Sequence, residues 1–387
     1  MDFAENPAHR AIREAVGALC ARFPDPYWRD LDARREYPED FVRALTAAGW
    51  LAALIPAEYG GKGLSLTAAS LILEEINHCG GNAGPAHAQM YIMGTLLRHG
   101  SAEQKARYLP ALAAGDLRLQ AFGVTEPGSG SDTTALTTYA ERRGDRYVIN
   151  GRKIYISRVQ HSDLLLLLAR TTPLAERGAE RTRGLSLFLV DLRAAGAAIR
   201  LRRLPLLMNN ETNELTITDL EVPAENLVGA EGAGFRAIVD GWNAERILIA
   251  AECIGDGRWF VERATRYAGE RVVFGRPIGQ NQGVQFPIAA AYAAIEAADL
   301  MRFKAAWLFD HGRKCGPEAN MAKLLAARAS WDAANVCLDT HGGNGFNAEY
   351  DVERKFRETR LYRVAPVSDN LILAYLAQHV LGLPRSY

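Results

Sequence analysis

The stretch AFGVTEPGSGSDTTALTTYAERRGDRYVINGRKIYIS, residues 121–157, is more informative about fold and function than any other part of the chain. It opens on a mostly apolar run, Leu119–Val124, which predicts a short buried strand. A polar loop, TEPGSGSD, follows at once. The hydroxyls of Thr125, Ser129 and Ser131 can donate or accept hydrogen bonds, and the loop glycines let the backbone approach a ligand closely. The loop therefore suits a polar planar ligand, and a solvent-exposed turn is the plainer alternative.

The remainder of this stretch predicts paired strands. Tyr139–Ile149 and Arg152–Ser157 have strand character and are separated by Asn150-Gly151, a dipeptide typical of two-residue hairpin turns. Across residues 119–230, short apolar runs such as Leu164–Ala169 alternate with turn dipeptides. This pattern indicates an antiparallel β domain.

Helical periodicity precedes and follows the β region. Ser65–Asn77 carries an apolar stripe at helical spacing, with Glu74 and Glu75 outside it. Ser101–Gln104 is a capping box that opens a helix, and Gly115 ends that helix. After Gly234 long helices are predicted over Phe235–Glu270, Gln282–His311, Glu318–Thr340 and Ser368–Leu381.

Composition excludes several classes of protein. The 45 Lys and Arg residues balance the 45 Asp and Glu residues, so there is no overall basic field for nucleic acid. The five cysteines contain no CxxC pair, which favours a reduced, cytoplasmic protein. No signal peptide is visible at the N-terminus, and the most apolar run is far too short to span a membrane. No metal-binding motif stands out.

Two strings together identify a family resemblance. Thr125–Asp132 and Lys153–Ser157 closely resemble the flavin-binding segment of acyl-CoA dehydrogenases, where a TEP-x-x-GSD loop lies under the FAD ring and a K-x-[WFY]-I-[ST] strand lines its other side. The order of helices, strands and helices is also similar. The resemblance implies an α+β fold with an N-terminal α-helical domain (1–118), a middle antiparallel β domain carrying the flavin loop (119–230) and a C-terminal four-helix-bundle-like domain (231–387).

The resemblance also implies which residues bind FAD. Tyr155 stands where many relatives carry Trp, and an aromatic ring there can still cover the flavin. Segments around Arg271 and Gln282 reach the FAD of a neighbouring subunit in relatives, which implies a homotetramer or homodimer. The complete set of expected FAD contacts is Phe122, Val124, Thr125, Ser131, Tyr155, Ser157, Arg271, Phe274, Gln282, Gly342, Gly343, Ser368 and Asn370.

Some of these assignments have plainer alternatives. Arg271 alone would be a helix-end arginine on a solvated face. The glycines at 342 and 343 follow a long helix and could simply end it. Asp339 replaces a Gln that commonly touches the FAD of the partner subunit, which weakens that one contact.

The catalytic base departs from the commonest family pattern. Most relatives carry a Glu near the C-terminus where this chain has Pro366, which has no ionisable group. The isovaleryl- and long-chain-type relatives place the Glu on the long helix, and Glu245 matches that position. Without the resemblance, Glu245 would be a solvated or salt-bridged helix residue. Ser131, Asn243 and Arg246 are the expected contributors to substrate binding.

The resemblance implies a reaction and its partners. Glu245 would remove the α-proton of an acyl-CoA thioester and flavin N5 would take the β-hydride, giving the trans-2-enoyl-CoA. The expected electron acceptor is an electron-transfer flavoprotein. Three alternatives stay open: an acyl-CoA oxidase, a lyase-type member such as a sulfinate-releasing enzyme, and a non-catalytic flavoprotein scaffold or assembly factor.

Overall fold

In the computed structural model, which describes residues 6–176, 178 and 180–385, helices precede and follow a block of strands. The helices are α1 (Pro7–Cys20), α2 (Asp25–Arg34), α3 (Glu39–Ala47), α4 (Leu66–His78), α5 (Gly84–His99), α6 (Ala102–Ala114), α7 (Leu192–Ala195), α8 (Gly234–Glu270), α9 (Gln282–Asp310), α10 (Gly316–His341), α11 (Val352–Thr359) and α12 (Asp369–Tyr375). The strands are β1 (Ala121–Gly123), β2 (Tyr139–Arg143), β3 (Arg146–Ser157), β4 (Leu164–Arg170), β5 (Leu185–Asp191), β6 (Ile199–Arg203), β7 (Thr212–Pro223), β8 (Leu227–Val228), β9 (Val272–Val273) and β10 (Arg276–Pro277). This order confirms the α+β class.

The described residues form two compact units. The helical unit takes the described residues within Met1–Arg34, Ser65–Ala83 and Asn243–Tyr387. The sheet unit takes Arg35–Leu64 and Gly84–Trp242. These units cut across the three consecutive segments expected from the sequence, and the boundaries of those segments stay a prediction.

The centre of the sheet unit is β4, whose residues are all buried. Strand order across the sheet is β6-β7-β3-β2-β4-β5-β8, with β1 also paired to β4. Leu164, Leu166 and Leu168 belong to one hydrophobic core, whereas Leu165 and Leu167 belong to a second. Because successive strand residues point to opposite faces, a strand covered on both faces is apolar throughout. This explains the unbroken leucine run.

The sheet is mixed rather than purely antiparallel. Strands β2–β3, β3–β7, β6–β7, β4–β5 and β5–β8 pair antiparallel, but β1 and β2 each pair parallel to β4. The predicted strand over Leu119–Val124 is confirmed only for Ala121–Gly123.

The predicted hairpin turn at Asn150-Gly151 is wrong. Strand β3 runs straight through this dipeptide, and the reversal between β2 and β3 lies at residues 144–145. The β3–β7 register shifts between Ile149 and Gly151, which is the mark of a β-bulge. A Cβ at Gly151 would lie 2.7 Å from Cα of Thr138. The glycine therefore serves a close backbone approach instead of a turn.

Helix signals in the sequence were more reliable. The capping box at Ser101 and Gln104 is formed, and Gly115 adopts the left-handed conformation after α6. Ser65 caps α4 through its side chain. The long helices predicted after Gly234 are observed as α8, α9, α10 and α12, with ends shifted by a few residues. The predicted tail of the last one, beyond Tyr375, continues as a single π-helical turn.

Glu74 of α4, which lies outside the apolar stripe, is fully buried in the helical unit. Its carboxylate accepts hydrogen bonds from Arg13 of α1 (2.7 Å) and Arg302 of α9 (2.8 Å), and it also pairs with Arg258 of α8. Burial alone would raise the pKa of this carboxyl, but the three guanidinium groups hold the pKa of Glu74 below its ordinary value. Glu74 of α4 therefore links α1, α8 and α9 through buried ion pairs.

Candidate active site

A buried ion pair fixes the polar loop of the sheet unit against β3. Nζ of Lys153 donates to Glu126 Oε1 at 2.9 Å and to the carbonyl oxygen of Val124 at 3.0 Å. The Glu126 carboxylate also accepts hydrogen bonds from the backbone N–H groups of Thr137 (2.7 Å) and Thr138 (2.9 Å) and from the Thr137 hydroxyl (2.9 Å). Both members of the pair are buried. The loop is therefore held at its start, where the strand ends.

Both charges persist at neutral pH. Burial would raise the pKa of Glu126, but the Lys153 charge and the hydrogen bonds from Thr137 and Thr138 lower that pKa to about 2. Burial lowers the pKa of Lys153 to about 8, opposed by the charge of Glu126. At pH 7 Glu126 is therefore a carboxylate and Lys153 is an ammonium. Both groups make their hydrogen bonds with other atoms of the protein.

The loop presents its other side to solvent. Gly128 and Gly130 face open space. A Cβ atom added to either would meet no described heavy atom within 4 Å, apart from atoms of its chain neighbours. Ser131 is exposed and Thr125 is half-buried. Ser129 differs from expectation, since it is buried and its hydroxyl donates to the Asp132 carbonyl oxygen at 2.5 Å. Ser131 and Thr125 are thus the loop hydroxyls available to a ligand.

The end of β3 carries an exposed aromatic ring in a strained conformation. Tyr155 has φ of +61° and is 60% exposed. The β3–β7 register shifts between Lys153 and Ile156, and this irregularity lets Ile156 stay in the core. Left-handed conformations of bulky residues cost about 1–3 kcal/mol and cluster at functional sites. A large ring exposed at that cost suits a ligand-covering role.

The beginning of the loop offers an apolar wall. Phe122 on β1 and Val124 are half-buried and pack against the core of the sheet unit. Tyr91 of α5 contacts Phe122 edge-on, with ring centroids 5.9 Å apart. The apolar wall and the hydroxyls of the loop are the combination expected of a site for an amphipathic ring.

A hydrogen-bonded cluster at the start of β7 holds Ser157. Its Oγ lies 2.8 Å from Thr212 Oγ1 and 2.9 Å from Asn210 Nδ2. Asn210 Oδ1 in turn accepts from the Arg158 guanidinium at 2.7 Å. Arg158 and Glu211 both have positive φ, +59° and +43°. Ser157 is directly opposite Thr212 in the β3–β7 register, so the sheet itself sets this contact.

A cavity of about 320 Å³ opens beside this cluster. Its lining includes two arginines, Arg35 and Arg203, and the polar residues Asn210, Glu211 and Thr212. None of the site residues predicted from the sequence is among its lining residues.

The helical unit contains the candidate base. Glu245 on α8 is only 6% exposed. Its neighbour Arg246 donates to Asn243 Oδ1 at 3.4 Å, one helical turn earlier. Desolvation lowers the pKa of Arg246, and the negative charge of Glu245 opposes that shift. The carboxyl and the guanidinium therefore lie in the same poorly solvated region of the unit.

In the C-terminal segment where most relatives carry the catalytic Glu, this chain has Pro366, and other residues hold the segment in place. Pro366 is exposed, and the next carbonyl oxygen, that of Val367, accepts from Lys323 Nζ at 2.7 Å. Ser368 caps α12 by accepting from the Leu371 N–H at 3.4 Å. The oxygen of Ser368, predicted to contact FAD, is thus engaged in the fold, while Asn370 is exposed.

The remaining predicted contacts lie on the surface of the helical unit. Arg271 and Gln282 are exposed and flank the β9–β10 hairpin. Phe274 at the tip of that hairpin is fully exposed and has φ of +51°. Gly342 and Gly343 are exposed where α10 ends, so the helix-ending role is real. Phe274 and the adjoining exposed Val272 and Val273 form a run of exposed apolar side chains, and contiguous exposed apolar surface marks an interaction site.

Neither a metal centre nor a membrane-spanning helix is present among the described residues. They contain no cluster of three or more His, Cys, Asp or Glu side chains placed to hold a metal ion. Among the helices described, none combines the length and the apolar character needed to cross a membrane.

Sequence reasoning missed the residues that position the site. The sequence shows Glu126 and Lys153 only as letters of a motif, because they are 27 positions apart and their contact depends on how the loop packs against β3. Asn210 and Thr212 follow a loop with no recognisable motif. Only the strand pairing brings them to Ser157.

Comparison with known proteins assigns the chain to a family. Family models match the N-terminal domain of acyl-CoA dehydrogenase over residues 6–116, the middle domain over 121–220 and the C-terminal domain over 232–381. The chain is 36% identical to acyl-CoA dehydrogenase FadE12 of Mycobacterium tuberculosis (strain ATCC 25618 / H37Rv), covering 100% of this chain and 99% of that protein. It is 35% identical to cyclohex-1-ene-1-carbonyl-CoA dehydrogenase of Syntrophus aciditrophicus (strain SB), covering 92% of this chain and 85% of that protein.

A solved structure agrees in fold. Glutaryl-coenzyme A dehydrogenase in complex with glutaryl-CoA superposes with a TM-score of 0.92 at 31% identity, covering 100% of this chain and 98% of that one. The expected three-domain fold is therefore confirmed. The chain belongs to the acyl-CoA dehydrogenase family.

Proposed function

We propose that this protein is an FAD-dependent acyl-CoA dehydrogenase that converts an acyl-CoA thioester to its trans-2-enoyl-CoA. The observation that carries the proposal concerns the two positions from which the family supplies its base. Pro366 occupies one and cannot ionise, whereas Glu245 occupies the other and is 6% exposed. We propose Glu245 as the group that removes the α-proton.

Burial makes Glu245 suited to that task. At 6% exposure its carboxyl is shielded from bulk water, so solvent competes little with a substrate for its oxygens. Arg246 beside it is itself desolvated and supports the region electrostatically. Asn243 and Ser131 are proposed to bind the pantetheine and thioester part of the substrate.

The residues of both units fit FAD. In the sheet unit, the open glycines at 128 and 130, the exposed Ser131 and the exposed ring of Tyr155 suit a planar polar ligand. In the helical unit, exposed Arg271 offers a guanidinium suited to a diphosphate. When bound, FAD supplies acceptance of the β-hydride at N5.

The proposed partners follow from the same residues. The exposed group around Arg271, Phe274, Gln282 and Gly342-Gly343 supports an FAD site shared with a second copy, in a homotetramer or homodimer. An electron-transfer flavoprotein is the proposed acceptor, by family membership. The five cysteines are unpaired, which supports the expectation of a reducing, cytoplasmic location.

A flavin spectrum before and after substrate tests the proposed function. The purified protein should be yellow, with one non-covalent FAD per chain. It should then be mixed anaerobically with straight-chain, isovaleryl, cyclohex-1-ene-1-carbonyl and glutaryl thioesters of CoA. At least one should bleach the flavin band, and the bleached enzyme should then reduce an electron-transfer flavoprotein.

Other results of the same experiment point elsewhere. Bleaching that reverses within seconds of admitting air would indicate an acyl-CoA oxidase. A flavin that no thioester bleaches would favour a lyase-type member. A colourless protein that takes up no FAD would favour the scaffold alternative and contradict the proposal.

A further inference from the structure

We propose that Cys20 and Cys79 form a site of reversible oxidation, at which a disulfide links the ends of α1 and α4. Cys20 is the last residue of α1, and Cys79 directly follows α4 as its C-cap. Both residues are thiols in the structure. The proposal does not depend on the proposed function, because it concerns side chains outside the candidate active site.

The packing of α1 on α4 brings the two cysteines together. Arg13 Nη1 of α1 lies 3.9 Å from Glu75 Oε2 of α4. One turn later on α1, a Cβ at Gly17 would lie only 3.1 Å from Glu75 Oε1, so the helices approach closely where α1 has no side chain. Cys20 is one further turn along α1, and Cys79 is one turn beyond Glu75. The contacts therefore advance in the same direction along both helices and end at the two cysteines.

The two thiols differ in their access to solvent. They are close enough to share a hydrogen bond, but Cys79 is exposed whereas Cys20 is only 6% exposed. An oxidant in solution can therefore reach Cys79, and Cys20 is placed to react with the oxidised sulfur of its neighbour. An accessible cysteine next to a second, resolving cysteine is the arrangement found at reversible redox sites.

Glu75 restrains the reaction of the pair. Burial would raise the pKa of Glu75, but the hydrogen bond and charge of His78 hold that pKa below its ordinary value, so Glu75 is a carboxylate at pH 7. Cys79 Sγ donates to Glu75 Oε1 at 3.5 Å. The hydrogen bond with Cys20, burial and the negative charge of Glu75 all raise the pKa of the Cys79 thiol. Because the thiolate is the reactive form, the pair should oxidise slowly at neutral pH.

A small disulfide, for which oxidised glutathione is the probe, is the oxidant that completes the reaction. The Cys79 thiolate attacks one sulfur of the small disulfide and releases the other as a thiolate. The Cys20 thiolate then attacks the Cys79 sulfur of this mixed disulfide and releases the second small thiolate. The protein loses two electrons and two protons, and the small disulfide becomes two thiols. An excess of small thiol reverses both steps.

The new bond would hold α1 against the interior of the helical unit. Nearly all residues of α4 are buried, whereas in α1 the buried residues are Val16, Leu19 and Cys20. The disulfide would also close a long ring, residues 20–79, which restricts the unfolded chain. The oxidised protein should therefore resist unfolding better than the reduced protein.

The test incubates the purified full-length protein with oxidised glutathione, blocks the remaining thiols and maps the peptides by mass spectrometry. We expect a Cys20 peptide joined to a Cys79 peptide, lighter than the two separate peptides by two hydrogen atoms and absent after treatment with dithiothreitol. The thermal unfolding midpoint should rise by several degrees on oxidation and return on reduction. Cys337→Ala, which removes a buried cysteine elsewhere, should respond like the wild type.

Two variants test the separate roles of the residues. Cys20→Ser should accumulate one glutathione on Cys79, because the resolving thiol is absent, and its midpoint should not rise. Glu75→Gln keeps the shape and removes the charge, so it should form the disulfide severalfold faster. Glu14→Gln makes the same change at an exposed residue of α1 and should oxidise at the wild-type rate.

The crosslink is measured in the wild-type protein, so the result does not depend on whether any variant folds. Free thiols at both positions after prolonged incubation would overturn the proposal, and so would glutathione that stays on wild-type Cys79 without forming the crosslink. A crosslinked protein with an unchanged midpoint would overturn the stabilising effect. A Glu75→Gln rate equal to that of the wild type would overturn the role of Glu75.

Discussion

At the scale of single residues, the most informative pair is Glu126 and Lys153. The sequence contains both as motif letters, but it does not reveal that they meet, because they are separated by more than twenty positions and a strand pairing. Their contact at 2.9 Å, with Lys153 fully buried, anchors the start of the glycine-rich loop. The ion pair holds the loop on its buried side, so the opposite, solvent-facing side is accessible to a ligand.

Removing one member of this pair should be costly. Glu126→Gln leaves an ammonium buried without its counter-charge, and we expect the free energy of unfolding to fall by about 3–5 kcal/mol. The double variant Glu126→Gln/Lys153→Met should recover much of that loss, because it removes both charges. Urea unfolding at pH 7, monitored by circular dichroism, measures the free energy of unfolding of both variants. Equal stability of the single and double variants would show that the charges are not coupled.

The same pair should also be visible in the acid stability profile. The folded pKa of Glu126, about 2, lies below its ordinary value of 4.5. The stabilisation is therefore complete above about pH 4.5 and is lost as the pH falls toward 2. Relative to Glu126→Gln/Lys153→Met, which carries neither charge, the wild type should keep a constant stability difference from pH 5 to 7 and should lose stability below about pH 4.5. A wild type that gains stability relative to this variant in acid would contradict the assigned direction.

At the scale of elements, the helices were predictable and the strand connections were not. A capping box such as Ser101–Gln104 acts within one turn, so its meaning is local. Asn150-Gly151 shows the opposite case, since the dipeptide favours a turn but is drawn into a bulge by the close approach of Thr138. The conformation at such a position depends on the neighbouring strands, and those strands are distant in sequence.

The β9–β10 hairpin supplies a prediction at this scale. The fully exposed Phe274 side chain contributes no burial within the chain, so Phe274→Ser should leave the far-ultraviolet circular dichroism unchanged. Burying a phenylalanine against another subunit contributes about 1.5–3 kcal/mol. The variant should therefore associate, and retain FAD, at least about tenfold more weakly. Leu383→Ser, at another exposed apolar residue, is the matched control.

Light scattering at micromolar concentration measures this association. The wild type should be a dimer or tetramer, and Phe274→Ser should shift toward the monomer. A wild-type monomer with full FAD occupancy would contradict the shared cofactor site.

At the scale of the whole molecule, the sequence was sufficient for the family and insufficient for the arrangement of the site. The loop and strand strings led to the fold class, which the comparisons confirm. The burial of Glu74 and the inward turn of Ser129 could not be read from periodicity. The burial of Glu74 depends on three arginines from separate helices, and the orientation of Ser129 depends on its hydrogen bond to the Asp132 carbonyl oxygen.

The central claim is that α8 supplies the base, and the rate of anaerobic flavin reduction tests it most directly. Glu245→Gln keeps the size of the side chain and removes the base. Glu262→Gln makes the same change on the same helix, at an exposed residue paired with His78 (2.7 Å). Both proteins should bind FAD and substrate like the wild type. In stopped-flow mixing with the best thioester, Glu245→Gln should reduce its flavin roughly 10²–10⁴-fold more slowly, while Glu262→Gln should be unaffected. Reduction of Glu245→Gln at the wild-type rate would contradict the account.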